Sequence, residues 1–134
     1  ISDNITIYSI VGQLLEHSRI FKFENAGDPI IFMGSADWMP RNLDRRVELV
    51  FPIEDPDIKK RAFKILEIIL SDTVNMRIQK PDTTYHMVDR RGKKVVNSQL
   101  EFSKRAQKQQ KAAIKNNINS EEVGKPIGTP QLPK

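Results

Sequence analysis

Apolar residues at Ile7, Tyr8, Val11, Leu14 and Leu15 recur at the i, i+4, i+7, i+8 spacing of one helix face, and Ser2 or Asp3 could cap such a helix. This pattern predicts a first helix ending near Glu16 to Ser18. Arg19 to Glu24, with Ile20, Phe21 and Phe23, reads as a strand, and Asn25-Ala26-Gly27-Asp28-Pro29 as a turn. A second strand follows through Ile30, Ile31, Phe32 and Met33, and so short a loop makes the pair a hairpin. Gly34-Ser35-Ala36-Asp37 is a polar break at a strand end, the usual place for a site in an α/β fold. Val47, Leu49 and Phe51 alternate with other residues, which predicts a third strand from Arg46 to Pro52.

Asp55-Pro56 supplies an N-cap and a first-turn proline for a helix burying Ile58, Ala62, Ile65, Leu66 and Ile69, with Lys59, Lys60, Lys64 and Glu67 outside. Asn75 to Gln79 and Thr84 to Val88 are further strand candidates around Lys80-Pro81-Asp82. A last helix is expected from Val95 to about Ile118. It carries few large apolar residues after Phe102, so its far half should be exposed or frayed. The final 15 residues, with Pro126, Pro130 and Pro133 among Gly and Lys, read as a disordered tail. The expected fold class is α/β: a mixed β-sheet flanked by helices, followed by the C-terminal helix and tail.

Charge changes this picture in one respect. The 134 residues carry a formal charge of +5, a hint of a polyanionic partner, yet residues 1–103 hold 15 basic and 15 acidic side chains. The whole excess lies in residues 104–134, with seven basic and two acidic. The absence of Cys removes disulfides and thiolate metal sites and fits a reducing cytosol, and two histidines cannot build a multi-histidine zinc site. No apolar run nears the roughly 18 residues of a bilayer span, and no signal-peptide pattern opens the chain. A soluble, cytoplasmic protein is expected. A chain opening at Ile1, straight into an apolar-periodic segment, is expected to be a piece of a longer polypeptide.

His17 lies between the first predicted helix and the next strand, with Arg19 beside it, and Arg41, Arg45 and Arg46 cluster after the Gly-Ser break. A histidine with several guanidiniums can form a phosphate site, because each Arg offers a planar fork to phosphate oxygens. Equally, a helix dipole favours a histidine at its C-terminus, and arginines flanking a strand often only pair with carboxylates. His86 reads as structural, Arg90 to Lys94 as a solvated basic loop, and Trp38 as a core or subdomain plug. Gly34-Ser35 is no Walker loop, for no Gly-Lys-Ser/Thr follows.

Leu15-Glu16-His17-Ser18-Arg19, Phe23-Glu24-Asn25-Ala26-Gly27-Asp28 and above all the run Gly34-Ser35-Ala36-Asp37-Trp38-Met39-Pro40-Arg41-Asn42-Leu43-Asp44-Arg45-Arg46-Val47-Glu48 closely resemble the C-terminal domain of bacterial polyphosphate kinase, first family. The resemblance spans Ile1 to about Arg91. It implies a phospholipase D-like domain, residues 1–103, incomplete at its N-terminus and followed by a basic extension, 104–134. The phospholipase D pattern is His-x-Lys, an Asp after four residues, and Gly-Ser-x-Asn. It is echoed by His17-Ser18-Arg19, Glu24 and Gly34-Ser35-Ala36-Asp37. The three departures, and one half-site where two are needed, argue against an ordinary phosphodiesterase.

The resemblance implies reversible transfer of the ATP γ-phosphoryl group to inorganic polyphosphate through a phosphohistidine. The nucleophilic histidine would lie in a preceding domain, and the residue matching His17 would face it, contacting the ATP phosphates as a proton donor. Mg2+, bound mainly outside this segment, would share charge neutralisation with arginines. Assigning Arg41, Arg45 and Arg46 to phosphate rests on charge and placement alone. The partners implied are ATP, ADP and polyphosphate, the remaining domains of the polypeptide and a second copy in a homo-oligomer, with peripheral association at the inner membrane face and no nucleic acid. The competing readings are a non-catalytic polyanion or nucleic-acid module, resting on the basic tail, and a phospholipase D-like hydrolase.

Overall fold

The computed structural model describes residues 4–120, with side chains as far as Lys115. It divides into two units, residues 1–99 and 100–134. The first unit is α/β, as anticipated, but its strands form two three-stranded antiparallel sheets in place of one mixed sheet. Short connections account for the antiparallel β2–β3 and β5–β6 pairs, since a parallel neighbour would need a long crossover. In one sheet β2 (Ile20–Phe23), β3 (Ile30–Gly34) and β4 (Val50–Pro52) lie in sequential order. In the other, β5 (Met76–Gln79) sits between β1 (Tyr8–Ile10) and β6 (Tyr85–Met87).

The N-terminal helix does not form. Tyr8, Ser9 and Ile10 pair antiparallel with Ile78, Arg77 and Met76 instead, and Val11 N–H continues the ladder to the Asn75 carbonyl at 3.1 Å. β-Branched and aromatic residues from Ile5 to Val11 suit a pleated surface, and Gly12 weakens any helix through it. Residues 11–19 therefore cross to β2 without regular structure. The proposed caps Ser2 and Asp3 lie outside the described residues.

The β2–β3 hairpin is as expected, with Ile20 opposite Met33 and Phe23 opposite Ile30. Ile31, 1% exposed, is its most buried residue. The Phe23 and Phe32 rings meet edge to face at 6.0 Å. The predicted third strand shrinks to Val50–Pro52, and a short helix that was not predicted, α1 (Pro40–Arg45), precedes it. Pro40 at its first turn was the overlooked start signal. Val47 and Leu49 alternate but stay exposed.

Helix α2 (Pro56–Leu70) begins as predicted: the Asp55 carboxylate accepts from the Asp57 and Ile58 N–H groups at 3.0 and 2.9 Å. Ala62 and Ile68 are buried and Ile65, Leu66 and Ile69 half-buried, but Ile58, on the first turn, is exposed. Lys22 of β2 lies over the Phe63 ring of α2 at 5.5 Å.

Helix α3 (Ser98–Ser120) starts three residues after the predicted Val95. Val96 is engaged elsewhere: its carbonyl accepts from Thr73 N–H at 2.9 Å, and its N–H donates to Thr73 Oγ1 at 2.9 Å. Asp72 fixes the helix start. Its carboxylate, 1% exposed, accepts from the Val74 and Asn75 N–H groups at 2.9 and 2.7 Å, and from both N–H and Oγ of fully buried Ser98 at 2.7 Å. Burial pushes the Asp72 carboxyl upward, but these four donors outweigh it and hold it below the ordinary carboxylate value. In the second unit, Glu101 and Arg105 pair one turn apart at 2.9 Å, and the side chains from Ser103 to Lys115 are exposed. The expected disordered tail lies outside the described residues.

Candidate functional site

An antiparallel hairpin returns the chain to its starting point, so the residues just before β2 and just after β3 become neighbours. Gly34 N–H donates to the Arg19 carbonyl at 3.3 Å, which sets His17-Ser18-Arg19 beside Gly34-Ser35-Ala36-Asp37. Arg19 Nη2 and Asp37 Oδ2 are 2.7 Å apart, with side chains 21% and 33% exposed. The same guanidinium donates through Nη1 to the His17 carbonyl, and Asp37 Oδ1 accepts from Trp38 N–H at 2.8 Å. The hydrogen bond from Arg19 holds the Asp37 carboxyl below its ordinary value despite desolvation, helped by the Trp38 N–H and by the charges of Arg19 and His17.

Ser35 ties the segment after β3 to the chain entering β4. Its N–H donates to the Leu49 carbonyl at 2.9 Å, its Oγ donates to Glu48 at 2.5 Å, and that oxygen accepts from Leu49 N–H at 3.1 Å. Gly34 is required by space alone, since a Cβ there would lie 2.2 Å from the Leu49 carbonyl oxygen. Around the Arg19–Asp37 pair opens a cleft of about 570 Å³ lined by His17, Arg19, Glu16, Asp37, Trp38 and Met39 among others.

His17 is thus in the cleft and not at a helix end, so the dipole account of its presence lapses. Arg41 and Arg45, on α1, and Arg46, just after it, are exposed and do not line the cleft. Among the described residues none of the three forms an ion pair. The guanidinium in the cleft is Arg19, two positions from the histidine. Glu24 is also elsewhere, at the far end of β2, where it pairs with Lys22. Trp38 is no plug: it is 82% exposed on the cleft wall. His86, on β6, lies 3.3 Å from Thr84 Oγ1 and outside the cleft. Arg91 pairs with Asp89 in a solvated loop.

The electrostatics are restrained. Asp37 neutralises Arg19 and Glu16 adds a negative charge, so these groups alone do not attract a polyanion. Among the described residues no three His, Asp or Glu side chains converge as metal ligands.

The sequence model of the family described as polyphosphate kinase C-terminal domain 2 matches residues 1–99. The chain belongs to this polyphosphate kinase family. The match ends where the first structural unit ends. Polyphosphate kinase of Lactiplantibacillus plantarum is 54% identical over 112 residues, which is 84% of this chain but 16% of that protein. Polyphosphate kinase of a Synechocystis species is 53% identical over 85 residues, 63% of this chain and 12% of the relative. The crystal structure of polyphosphate kinase from Porphyromonas gingivalis superposes with a TM-score of 0.73 at 32% identity, covering 82% of this chain and 17% of that one. The chain thus spans about a sixth or less of the length of these polyphosphate kinases.

Proposed function

We propose that this chain is part of a polyphosphate kinase and supplies half of a composite site that reversibly transfers the ATP γ-phosphoryl group to polyphosphate. The observation that carries the reading is the gathering of His17 and the Arg19–Asp37 pair on one cleft by the two ends of the β2–β3 hairpin. A neutral histidine outside this chain attacks the γ-phosphorus, forming a phosphorus–nitrogen bond as the bond to the β,γ-bridging oxygen breaks and ADP leaves. The terminal oxygen of polyphosphate then takes the phosphoryl group from that histidine, lengthening the polymer by one unit. His17 faces the departing ADP oxygen and gives it a proton or hydrogen bond, recovering the proton in the reverse direction. A side chain whose unperturbed pKa is near neutrality suits a step that must run both ways.

Arg19, steered by Asp37, orients the His17 segment through the His17 carbonyl and offers its remaining donors to phosphate. Arg41, Arg45 and Arg46, exposed on the following element, are assigned to the phosphate chain outside the cleft. Mg2+ is assigned to the nucleotide phosphates and to residues outside this chain. The same proposal divides the chain into a catalytic part, 1–103, and a basic extension, 104–134. It places the enzyme in the cytoplasm, as a homo-oligomer at the inner membrane face, and leaves the isolated segment inactive for want of the nucleophile.

The test is labelling of the full-length enzyme with γ-labelled ATP, with and without His17→Ala. Loss of a general acid costs about 10²- to 10⁴-fold in rate, so phosphoenzyme and polymer should form correspondingly slowly. Normal rates of both in the variant reject the role given to His17.

A further inference from the structure

The loop that carries His17 has little to hold it. Residues 11–19 contain no helix or strand, and Leu14 and Leu15 project into solvent at 67% and 84% exposure. The loop is also undercut on both sides. Beyond the His17 cleft lies a second one of about 480 Å³, lined by Tyr8, Ile10, Ile69, Leu70 and Met76, and Leu15, Glu16 and Ser18 border both. A wall between two cavities does not keep its shape by packing.

Gln99 supplies what packing does not. Its Oε1 accepts from Leu14 N–H at 3.1 Å, and its Nε2 donates to the Leu14 carbonyl at 2.7 Å, as the peptide of a neighbouring strand would. The same Nε2 reaches Glu16 Oε1 at 3.1 Å, one residue before His17. Among the described residues no other hydrogen bond is made to residues 12–16. Gln99 is itself well founded, because the preceding residue, Ser98, is fully buried and held by Asp72 through two bonds of 2.7 Å. Gly12 leaves the space: a Cβ there would lie 2.3 Å from Gln99 Oε1.

We propose that Gln99 is a positioning residue for His17, its carboxamide clamping Leu14 and Glu16 so that the imidazole is presented to the reacting phosphate. The inference rests on the catalytic reading of His17. Gln99 lies 82 positions away and does not line the His17 cleft; it acts only through the loop.

The test uses the full-length polyphosphate kinase carrying Gln99→Leu, which keeps the bulk and removes the bonds, and Gly12→Ala, whose new methyl displaces only the flexible end of Gln99. Misplacing a reacting group by about 1 Å costs on the order of 100-fold. Both variants should therefore lose about 10- to 100-fold in kcat, with KM for ATP changing far less and Tm nearly unchanged. Amide exchange at Leu14 should quicken in both. In a His17→Ala background, Gln99→Leu should cause no further loss, because the two act as one unit. Wild-type kcat in Gln99→Leu beside a crippled His17→Ala overturns this inference alone, as does a Gln99→Leu loss that persists in full without His17. Full activity of His17→Ala removes the catalytic reading and this inference with it. Should Gln99→Leu fail to fold, Gly12→Ala decides: a lowered kcat at unchanged Tm supports the clamp, and an unchanged kcat overturns it.

Discussion

Replacing Asp72 by Ala should be among the most damaging single changes in residues 1–99. Four donors lose their acceptor at once: Val74 N–H, Asn75 N–H, and both N–H and Oγ of Ser98. Ser98 has no exposed surface, so its N–H bears the full desolvation penalty, about 1–3 kcal/mol. The Ser98 hydroxyl can rotate, and the other two N–H groups are partly reached by water, so each adds about 0.5–1 kcal/mol. The expected loss is about 2.5–6 kcal/mol. At about 4 °C or more per kcal/mol for a unit of this size, Tm should fall by at least about 10 °C.

Acid should shrink the difference between wild type and variant. The Asp72 carboxyl is held below its ordinary value in the fold, so its contribution is fully present above the unfolded-state pKa of about 3.9 and is lost as pH falls through the lower folded-state value. Urea denaturation of the 134-residue chain at neutral pH and at successively lower pH measures both effects. A loss under about 1 kcal/mol at pH 7, or a difference that grows on acidification, would refute the reasoning.

Two other changes probe the cleft. Gly34→Ala forces a methyl against the Leu49 carbonyl and the Val50 backbone, so β3 and β4 must part. Overpacking of this kind costs about 1–3 kcal/mol, read as a lowered urea midpoint. Asp37→Asn frees Arg19 from a partly exposed pair worth at most about 1 kcal/mol, so Tm should barely move. The cleft then loses one negative charge, so that Arg19 and Glu16 together are neutral where the three groups summed to −1. In the full-length enzyme KM for polyphosphate should fall severalfold at low salt and return toward wild type as salt is raised; a rise in KM at low salt would contradict the electrostatic account.

What could be read from the chain alone was what is local. Asp55-Pro56 announces α2 within two residues, and the β2–β3 hairpin closes over six, so both follow from neighbouring side chains. The meeting of His17-Ser18-Arg19 with Gly34-Ser35-Ala36-Asp37 comes almost free with that hairpin. β1 was misread because its partner β5 lies nearly 70 residues on, and an isolated segment with Ile7, Val11 and Leu14 in phase looks helical until that partner is known. Arg41, Arg45 and Arg46 cluster in sequence, but α1 carries them out of the cleft, while Arg19 was outweighed by their number. Asp72 sits in an ordinary-looking Ser-Asp-Thr turn, and only contact with Ser98, 26 residues away, gives it weight. Gln99 left no local signal at all.

The indole of Trp38 is the only one in the chain, and it stands largely in water on the same wall as His17 and Arg19. The 134-residue chain therefore carries its own optical reporter. An exposed indole emits at long wavelength; anything that settles into the cleft, whether phosphate, nucleotide or another protein surface, must dry that ring and move its emission toward the blue. Occupancy of the cleft can thus be followed without a label and without turnover.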